Sequence, residues 1–446
     1  MLVACILGSV IVFVDSTVVN VALPAIQQDL GGGLALQQWV VDAYLLTLGS
    51  LILVGGSLGD LFGARRLFLI GIVSFGILSV ACAAAPDGTT LIVARGFQGI
   101  AGAILTPAGL AVIAATFSGE ARGAAIGQWT SWTGVAFVVG PLVGGWLVTH
   151  ASWRWVFLIN VPFAIVTALL VAYAVPKRPP PENRPHVDVV GGALCVLGLG
   201  GPVFALIEEP RHGWSSPAIV VPLVAGVALF GAFLWWERHH PAPMLPLGLF
   251  MRRNFTFANV ETLTVYAGLS TLTFFLVLFM QQLAGYSALK SGLALLPITV
   301  VMFFLSPRVG RLSMRIGPRY FMGVGPLIAA ASLVALVDLK PGFDYWYELL
   351  PPLLGFSVGL SLLVAPLTAT VLADASESDA GIASGVNNAV ARVAGLLGIA
   401  VVGASVAGSD NSLDLSGFRL SMGITVVLIG VGGVIGFVGI RNAGRS

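Results

Sequence analysis

The sequence GSLGDLFGARRL, residues 56–67, places one Asp, two Arg and three Gly between two long apolar runs. A second stretch, GRLSMRIGPRYF at residues 310–321, has the same spacing. Four positions recur at an offset of 254 residues: Gly56, Leu58, Gly63 and Arg65 correspond to Gly310, Leu312, Gly317 and Arg319. Similarity at a fixed offset indicates an internal duplication. The chain is therefore predicted to contain two related halves.

Composition fixes the broad class of the protein. Hydrophobic residues make up 57% of the 446 residues and charged residues only 9%, whereas a soluble domain has about 25% charged residues. Apolar runs of roughly 20 residues, each long enough to cross a bilayer, follow one another along the whole chain. The predicted fold class is an all-α polytopic membrane protein.

Clusters of Gly, Pro and charged residues divide the chain into fourteen predicted transmembrane spans. They lie near residues 2–23, 38–59, 67–85, 91–114, 122–148, 156–175, 189–208, 217–236, 257–280, 289–307, 320–337, 347–371, 382–407 and 418–440. The Pro-rich stretch at 175–188 cannot be helical and is predicted to be a cytoplasmic linker. The predicted domains are a six-helix bundle at 1–175, a linker with two additional helices at 176–254, and a second six-helix bundle at 255–446.

The distribution of basic residues predicts the orientation. With both termini in the cytoplasm, fifteen of the 22 Lys and Arg residues fall in cytoplasmic segments and five face outside. Cytoplasmic loops of membrane proteins carry such an excess. Arg also outnumbers Lys by 19 to 3, which is typical of a GC-rich bacterial genome. The predicted location is a bacterial inner membrane, with both termini cytoplasmic.

Six motifs, in order along the chain, carry a resemblance to a known family. They are DSTVVNVALP (15–24), the loop residues Gly56, Leu58, Asp60, Gly63 and Arg65, ARGFQGIAGA (94–103), GPLVGG (140–145), WRWVFLINVP (153–162) and GIASGVNNAVARVAGLLGIAVVG (381–403). Together they resemble the major facilitator superfamily, specifically its 14-span drug:proton antiporter family. The resemblance implies a major facilitator fold of two six-helix bundles plus two central helices, a small-molecule substrate, and a proton gradient in place of any cofactor.

The duplicated loop is a candidate gate. Gly56 and Gly63 are expected to permit a tight turn, while Asp60 could cap the next helix and pair with a basic residue of the neighbouring bundle. Gly310, Gly317 and Arg319 would form the second copy, although Met314 stands where the first copy has its Asp. The alternative is a solvated loop whose charges, including Arg65, only fix the orientation.

Three charged residues within spans are candidates for proton coupling. A carboxylate inside the bilayer costs several kcal/mol, so Asp15 should have a functional role, and burial disfavours its charged form. Asp42 and Arg95 are predicted in the same outer half of the bilayer, where Arg95 could hold either carboxylate ionised. Alternatively, Arg95 could form a structural ion pair or extend to the membrane surface, and Asp42 could be hydrated at the interface.

Further residues are candidates for lining a substrate cavity. Glu261 could bind a cationic substrate, or it could be a solvated interfacial carboxylate. Trp129 and Trp132, three residues apart, could stack on an aromatic cation or face lipid. Asn387 could contact substrate or form hydrogen bonds between helices, and Gln98 belongs to the motif that contains Arg95.

The fifth span carries the motif that the resemblance associates with antiporters. Its glycines would let another helix approach one face closely, and its proline would remove a backbone hydrogen-bond donor. The residues concerned are Gly127, Gly140, Pro141, Gly144 and Gly145. A closely packed fifth helix could then seal the central cavity against ion leak while the carrier reorients.

The leading functional prediction is a proton-driven exporter of amphipathic, cationic or lipophilic drugs that works as a monomer. The alternative is a carrier of the same fold that exports one endogenous metabolite, antibiotic or lipid; the antiporter motif argues against import. An enzyme is not predicted, because the five His residues have no partnering motif. An ATP-driven pump is excluded because no Lys follows Gly, as a phosphate-binding loop requires. No metal and no nucleic-acid partner is predicted.

Overall fold

The computed structural model describes residues 1–117, 119–176, 187–373, 380–406 and 412–442, so residues 177–186 of the predicted linker lie outside the described part. Thirteen helices in the described part are long and apolar enough to cross a membrane: α1 Leu2–Leu30, α2 Gly33–Phe62, α3 Ala64–Ala83, α4 Gly88–Thr116, α6 Trp155–Ala174, α7 Val189–His212, α8 Pro217–His239, α9 Arg253–Leu283, α10 Ala288–Ile316, α11 Pro318–Leu336, α12 Tyr345–Ala373, α13 Gly381–Val406 and α14 Leu415–Gly439. A further helix, α5 (Gly119–His150), covers the remaining predicted span. The all-helical membrane class is confirmed, and the count of fourteen spans stays a prediction.

The helices form two compact units. The first unit contains Met1–Ala205, Trp214–Leu245 and Ser287–Leu289, and the second contains Leu206–Gly213, Pro246–Tyr286 and Lys290–Ser446. Within the first unit α7 packs along α2, where the Trp39 and Phe204 rings are 6.0 Å apart. Most of the two additional helices is therefore associated with the first unit.

Helix packing repeats between the two units. In the first unit α1 contacts α5 and α6, while α3 contacts α4 and α6. In the second unit α9 contacts α13 and α14, while α11 contacts α12 and α14. Adding eight to the helix numbers of each pair in the first unit gives the corresponding pair in the second unit. Eight is the six helices of one bundle plus the two additional helices. The duplication read from the two loops thus extends to the arrangement of helices.

The duplicated stretch is almost entirely helical, which corrects its prediction as a loop. The helix α2 continues to Phe62 and α3 begins at Ala64, so the turn is a single residue, Gly63, with a φ of 87°. The second turn is Gly317, with a φ of 103°. Both values lie in the left-handed region, which an L-residue with a side chain enters only at a cost.

Two expectations for the first turn are wrong. Gly56 lies inside α2 and takes no part in the turn, and a Cβ atom added there would make only an ordinary contact, 3.9 Å from Pro107 Cβ. Asp60 does not cap α3. The N-cap residue of that helix is Gly63, which makes no side-chain capping hydrogen bond. Asp60 was left outside the second span because the predicted span ended at residue 59, three residues before α2 ends at Phe62.

We expect Gly63→Ala to lower the free energy of unfolding by about 1–2 kcal/mol, because alanine would be forced into a left-handed conformation. Gly59→Ala is the matched control: Gly59 lies in α2 with open space around its Cβ position, so alanine there should stabilise by about 0.5–1 kcal/mol. Unfolding of both variants in detergent, followed by intrinsic fluorescence, measures the difference. Equal effects of the two substitutions would contradict the assignment of the turn.

Candidate functional site

A buried ion pair joins α1 and α4 inside the first unit. The Arg95 Nη1 atom lies 2.6 Å from Asp15 Oδ2. Asp15 Oδ1 accepts hydrogen bonds from Gln98 Nε2 at 3.2 Å and from Asn160 Nδ2 at 2.9 Å. Asp15 has no exposed surface, and the other three side chains are at most 2% exposed. Three donors on the two carboxylate oxygens fit an ionised Asp15.

The Arg95 guanidinium is held on several sides. Its Nη1 donates to Gln98 Oε1 at 2.7 Å as well as to Asp15, and its Nε donates to the Val40 carbonyl oxygen on α2 at 2.9 Å. The Tyr44 ring lies 4.2 Å from the guanidinium carbon, a cation–π geometry. Because Arg keeps its charge at any accessible pH, the Asp15 carboxylate supplies its neutralising charge.

Polar groups of α3 complete this network. Ser79 Oγ accepts from Gln98 Nε2 at 2.9 Å and from Asn160 Nδ2 at 3.3 Å. The Cys82 thiol donates to Gln98 Oε1 at 3.5 Å. Four helices, α1, α3, α4 and α6, thus meet at one polar centre, which we call the Asp15 network: Asp15, Ser79, Cys82, Arg95, Gln98 and Asn160.

Sequence reasoning named Asp15, Arg95 and Gln98 but missed Ser79, Cys82 and Asn160. Asn160 lies in the stretch WRWVFLINVP, whose resemblance to the family was the available signal. Ser79 carried no signal, because a Ser hydroxyl inside a helix can bond the backbone of its own helix and so need not face another helix. Only the packing of α3 against α4 shows that it faces the carboxylate.

Local features of α4 place Arg95 at this point. Asp87 caps the helix by accepting from the Thr90 amide nitrogen at 2.8 Å, and Arg95 follows by two turns. A Cβ atom added to Gly99 would lie 2.4 Å from the Tyr44 carbonyl oxygen, so only glycine allows α4 to approach α2 this closely. That approach brings the Arg95 side chain within reach of the α2 backbone.

Asp42 is not part of the network, and the alternative that it is hydrated at the interface is wrong. Its side chain has no exposed surface. No donor in the described part of the chain reaches either of its carboxylate oxygens. The sequence placed Asp42 near the end of a span that began at residue 38, but α2 begins at Gly33, which moves Asp42 more than a turn deeper.

Glu261 shows the same pattern in the second unit, and the alternative of a solvated interfacial carboxylate is wrong there too. It is fully buried, and among the described residues neither oxygen has a hydrogen-bond partner. A Cβ atom added to Gly436 on α14 would lie 2.7 Å from Glu261 Oε2 and from the Met322 carbonyl oxygen. Helix α9 begins at Arg253 rather than near 257, so Glu261 lies two turns inside it.

The other predicted substrate residues have different surroundings. Trp129 Nε1 donates to Ser9 Oγ on α1 at 2.8 Å, whereas the Trp132 side chain is 55% exposed. In the second unit Asn387 Nδ2 donates to Thr262 Oγ1 at 2.8 Å and to Asn259 Oδ1 at 3.2 Å. Asn387 therefore joins α13 to α9, as the helix-packing alternative expected, and Trp129 joins α5 to α1.

The antiporter motif packs α5 directly on α1. An added Cβ atom would lie 2.0 Å from Thr17 Oγ1 at Gly140 and 2.7 Å from Val18 Cγ2 at Gly144. Gly145 is equally close to the backbone of Leu289, which belongs to the same unit. Pro141 lies within the helix between them, whereas no described residue comes within 4 Å of a Cβ atom added to Gly127.

The arginines of the two turns make equivalent contacts. Arg65 Nη2 donates to the Ala172 carbonyl oxygen at 2.9 Å, near the end of α6. Arg319 Nε donates to the Phe437 carbonyl oxygen at 2.8 Å, near the end of α14. Each arginine thus binds a carbonyl in the last turn of a helix, α6 or α14, where a cation is favourable. Asp60 is exposed, and no basic side chain of the described residues forms an ion pair with it.

Comparison with known proteins identifies the family. Residues 5–399 match the sequence profile of the Major Facilitator Superfamily. The chain belongs to this superfamily. It is 37% identical to the puromycin resistance protein pur8 of Streptomyces alboniger, over 90% of this chain and 80% of that protein. It is 33% identical to the methylenomycin A resistance protein of Bacillus subtilis, over 93% of this chain and 89% of that protein.

A solved structure supports the same fold. A bacterial homolog of the human lysosomal transporter Spinster matches with a TM-score of 0.71 at 18% identity, covering 98% of this chain and 96% of that one. This major facilitator is therefore a multi-pass membrane transporter of small molecules, related to bacterial antibiotic-resistance proteins. The family resemblance read from the six motifs is confirmed.

We expect the Asp15–Arg95 pair to show strong coupling in a double-mutant cycle. Asp15→Asn or Arg95→Gln alone leaves one buried charge uncompensated and should lower the free energy of unfolding by about 3–5 kcal/mol. The double variant leaves no buried charge, so its loss should be well below the sum. Unfolding in mixed micelles, titrated with a denaturing detergent, gives the free energy of unfolding of the parent, the two single variants and the double variant.

The exposed pair of Asp29 and Arg154, at 2.7 Å, provides the control cycle. Asp29→Asn and Arg154→Gln should couple by about 0–1 kcal/mol. Additive effects of the Asp15 and Arg95 substitutions would show that the buried pair is not the interaction that holds this centre together.

Proposed function

We propose that this protein is a proton-coupled antiporter, active as a monomer, that exports amphipathic cationic or lipophilic drugs across a bacterial inner membrane by alternating access. The observation that carries the proposal is the Asp15 network, in which a buried carboxylate lies 2.6 Å from a permanently charged arginine. The names of the relatives, which refer to resistance to puromycin and methylenomycin A, support a drug as the exported substrate.

Protonation of Asp15 would change the balance of charge in the first unit. In the described state the Asp15 carboxylate neutralises Arg95. A proton on Asp15 would remove that negative charge and leave Arg95 as an uncompensated cation in a buried site. Such a charge is costly, so the network would rearrange until the arginine found another partner or the proton left. This is the differential stability that couples a proton to a conformational change.

Asp42 would act as the second carboxylate of this unit. It lies on α2 two residues after Val40, whose carbonyl oxygen binds Arg95. Without a donor or a cation among the described residues, a buried Asp42 is stable only in its neutral form. We therefore assign a proton to Asp42 in this state, and we propose that Arg95 exchanges between the two carboxylates during transport.

The turn and the antiporter helix would serve the conformational cycle. Gly63 and Gly317 set sharp turns at corresponding places in the two units, and rigid-body movement of one repeat against the other is how such carriers alternate access. We propose that Asp60, which is exposed in this state, forms its gating ion pair in another state of the cycle. Close packing of Gly140 and Gly144 on α1 would exclude ions from the proton pathway.

A carrier of the same fold that exports one endogenous metabolite, antibiotic or lipid is the second candidate. The resistance relatives fit it equally well, because a protein that removes a single antibiotic also confers resistance. Efflux of a panel of unrelated dyes and drugs from cells, with and without a protonophore, distinguishes the two functions. Export of many unrelated compounds favours the first function, and export of one compound favours the second.

Asp15→Asn should keep substrate binding but lose transport driven by a pH gradient, because an amide of the same shape cannot titrate. Exchange of substrate down its own gradient should survive, since exchange needs no net proton movement. Asp29→Asn, the same substitution in the exposed part of α1, is the control and should transport normally. The decisive measurement is substrate-induced proton release from purified protein in weak buffer. Equal release by Asp15→Asn and the parent would transfer the coupling role to Asp42 or Glu261.

Gly144→Leu should abolish export without preventing insertion into the membrane, because a side chain at this position would collide with Val18 and separate α5 from α1. Gly127→Leu, in the same helix but with no described residue within 4 Å of its Cβ position, should retain most activity. Dye efflux from cells with matched expression of the two variants compares them. Normal efflux by Gly144→Leu would rule out close packing of α5 as a requirement for transport.

A further inference from the structure

Two buried carboxyl groups, those of Asp188 and Glu237, lie where the two additional helices, α7 and α8, meet. Asp188 precedes α7 and is 4% exposed, and Glu237, in the last turn of α8, is 2% exposed. We call Asp188, Trp236, Glu237 and Leu245 the α7–α8 joint. In the predicted topology this end of both helices faces the cytoplasm. The joint is separate from the Asp15 network and was not anticipated from the sequence.

Asp188 has the surroundings of an ionised carboxylate. Its Oδ1 accepts from the Gly191 amide nitrogen at 2.7 Å, in the manner of a helix N-cap. The Trp236 indole nitrogen lies 3.0 Å from Oδ1 and 3.1 Å from Oδ2. These donors stabilise a negative charge on Asp188.

Glu237 is satisfied on one oxygen only. Its Oε2 accepts from the Leu245 amide nitrogen at 2.9 Å, whereas no donor among the described residues reaches its buried Oε1. A Cβ atom added to Gly191 would lie 2.5 Å from Asp188 Oδ2 and 2.6 Å from Glu237 Oε1. Both oxygens therefore border one small space that the missing Gly191 side chain leaves open.

No Lys or Arg in the described part of the chain forms an ion pair with either of these two groups. The titratable neighbour His240 has its Nδ1 atom 4.0 Å from Asp188 Oδ2. The Ala242 amide nitrogen donates a hydrogen bond to that atom at 3.3 Å. Cys195, one turn after Gly191 on α7, is a buried thiol. Helix α2 faces this part of α7 with the apolar side chains of Leu51 and Val54.

We propose that Asp188 and Glu237 form a proton-binding site, in which one proton on Glu237 Oε1 is shared with Asp188 Oδ2. Two carboxylates this close and this buried cannot both be ionised without a cation. The shared proton would give Glu237 Oε1 its missing partner and tie the start of α7 to the end of α8. Loss of the proton would leave two adjacent negative charges and loosen the joint, which makes it a sensor of cytoplasmic pH.

Infrared spectroscopy of the purified full-length protein, titrated with pH, tests this site. A protonated carboxyl group has a C=O stretching band that an ionised group lacks. We expect part of this band to disappear in Glu237→Gln, whose amide keeps the shape and can still donate to Asp188. Glu348→Gln is the control, since Glu348 is exposed and should contribute no such band at neutral pH. An unchanged band in Glu237→Gln would overturn the proposal.

Asp188→Asn tests whether the proton is shared. Asparagine caps a helix about as well as aspartate, so α7 should form normally, but the neighbouring negative charge is gone. Glu237 should then release its proton at lower pH, with an affinity reduced by roughly tenfold or more. An unchanged midpoint of the infrared pH titration would show that Asp188 has no part in holding the proton. If Glu237→Gln does not fold, the titration of Asp188→Asn alone tests the proposal. Neither measurement involves transport, so failure here leaves the proposed function standing.

Discussion

The interior of the first unit depends on one electrostatic constraint, the need to neutralise a permanently charged arginine inside a membrane protein. Arg95 cannot lose its proton, and an unpaired buried charge costs several kcal/mol. The Asp15 carboxylate meets this need at 2.6 Å, and amide, hydroxyl and thiol groups from α3, α4 and α6 satisfy what remains. The positions of four helices are thereby fixed around a single ion pair, and any change in the charge of Asp15 affects all four.

Among the described residues, no Lys or Arg forms an ion pair with three other buried carboxyl groups, those of Asp42, Glu237 and Glu261. Among the described residues Asp42 and Glu261 have no hydrogen-bond partner, and Glu237 is satisfied on only one oxygen. Burial favours the neutral form of such groups, so the protein handles buried acids in two ways: it neutralises Asp15 with an arginine and is proposed to neutralise the others with protons.

The duplication preserves the packing of helices more closely than it preserves chemistry. The same helix pairs recur in the two units, each turn has a glycine with positive φ, and Arg65 and Arg319 bind equivalent carbonyl groups. The polar residues differ: the second unit joins α9 to α13 through Asn387 and Thr262, with no counterpart to the Asp15–Arg95 pair among its described residues. Packing follows from glycines and apolar faces shared by both halves, whereas the charged and polar residues differ between the halves.

Composition, the repeated turn and the motifs determined the membrane class, the two related halves and the superfamily, because hydropathy and glycine spacing are properties of the chain itself. They also selected Asp15 and Arg95, since charges in apolar runs stand out. Ser79, Cys82 and Asn160 emerged only from the tertiary structure, because a helix in a bilayer does not reveal from its sequence which face meets its neighbours. Burial of Asp42 and Glu261 was missed because each helix begins about a turn before its predicted boundary. The Asp188–Glu237 pair, 49 residues apart, required the folded chain, since only the packing of α7 on α8 brings the two carboxyl groups together.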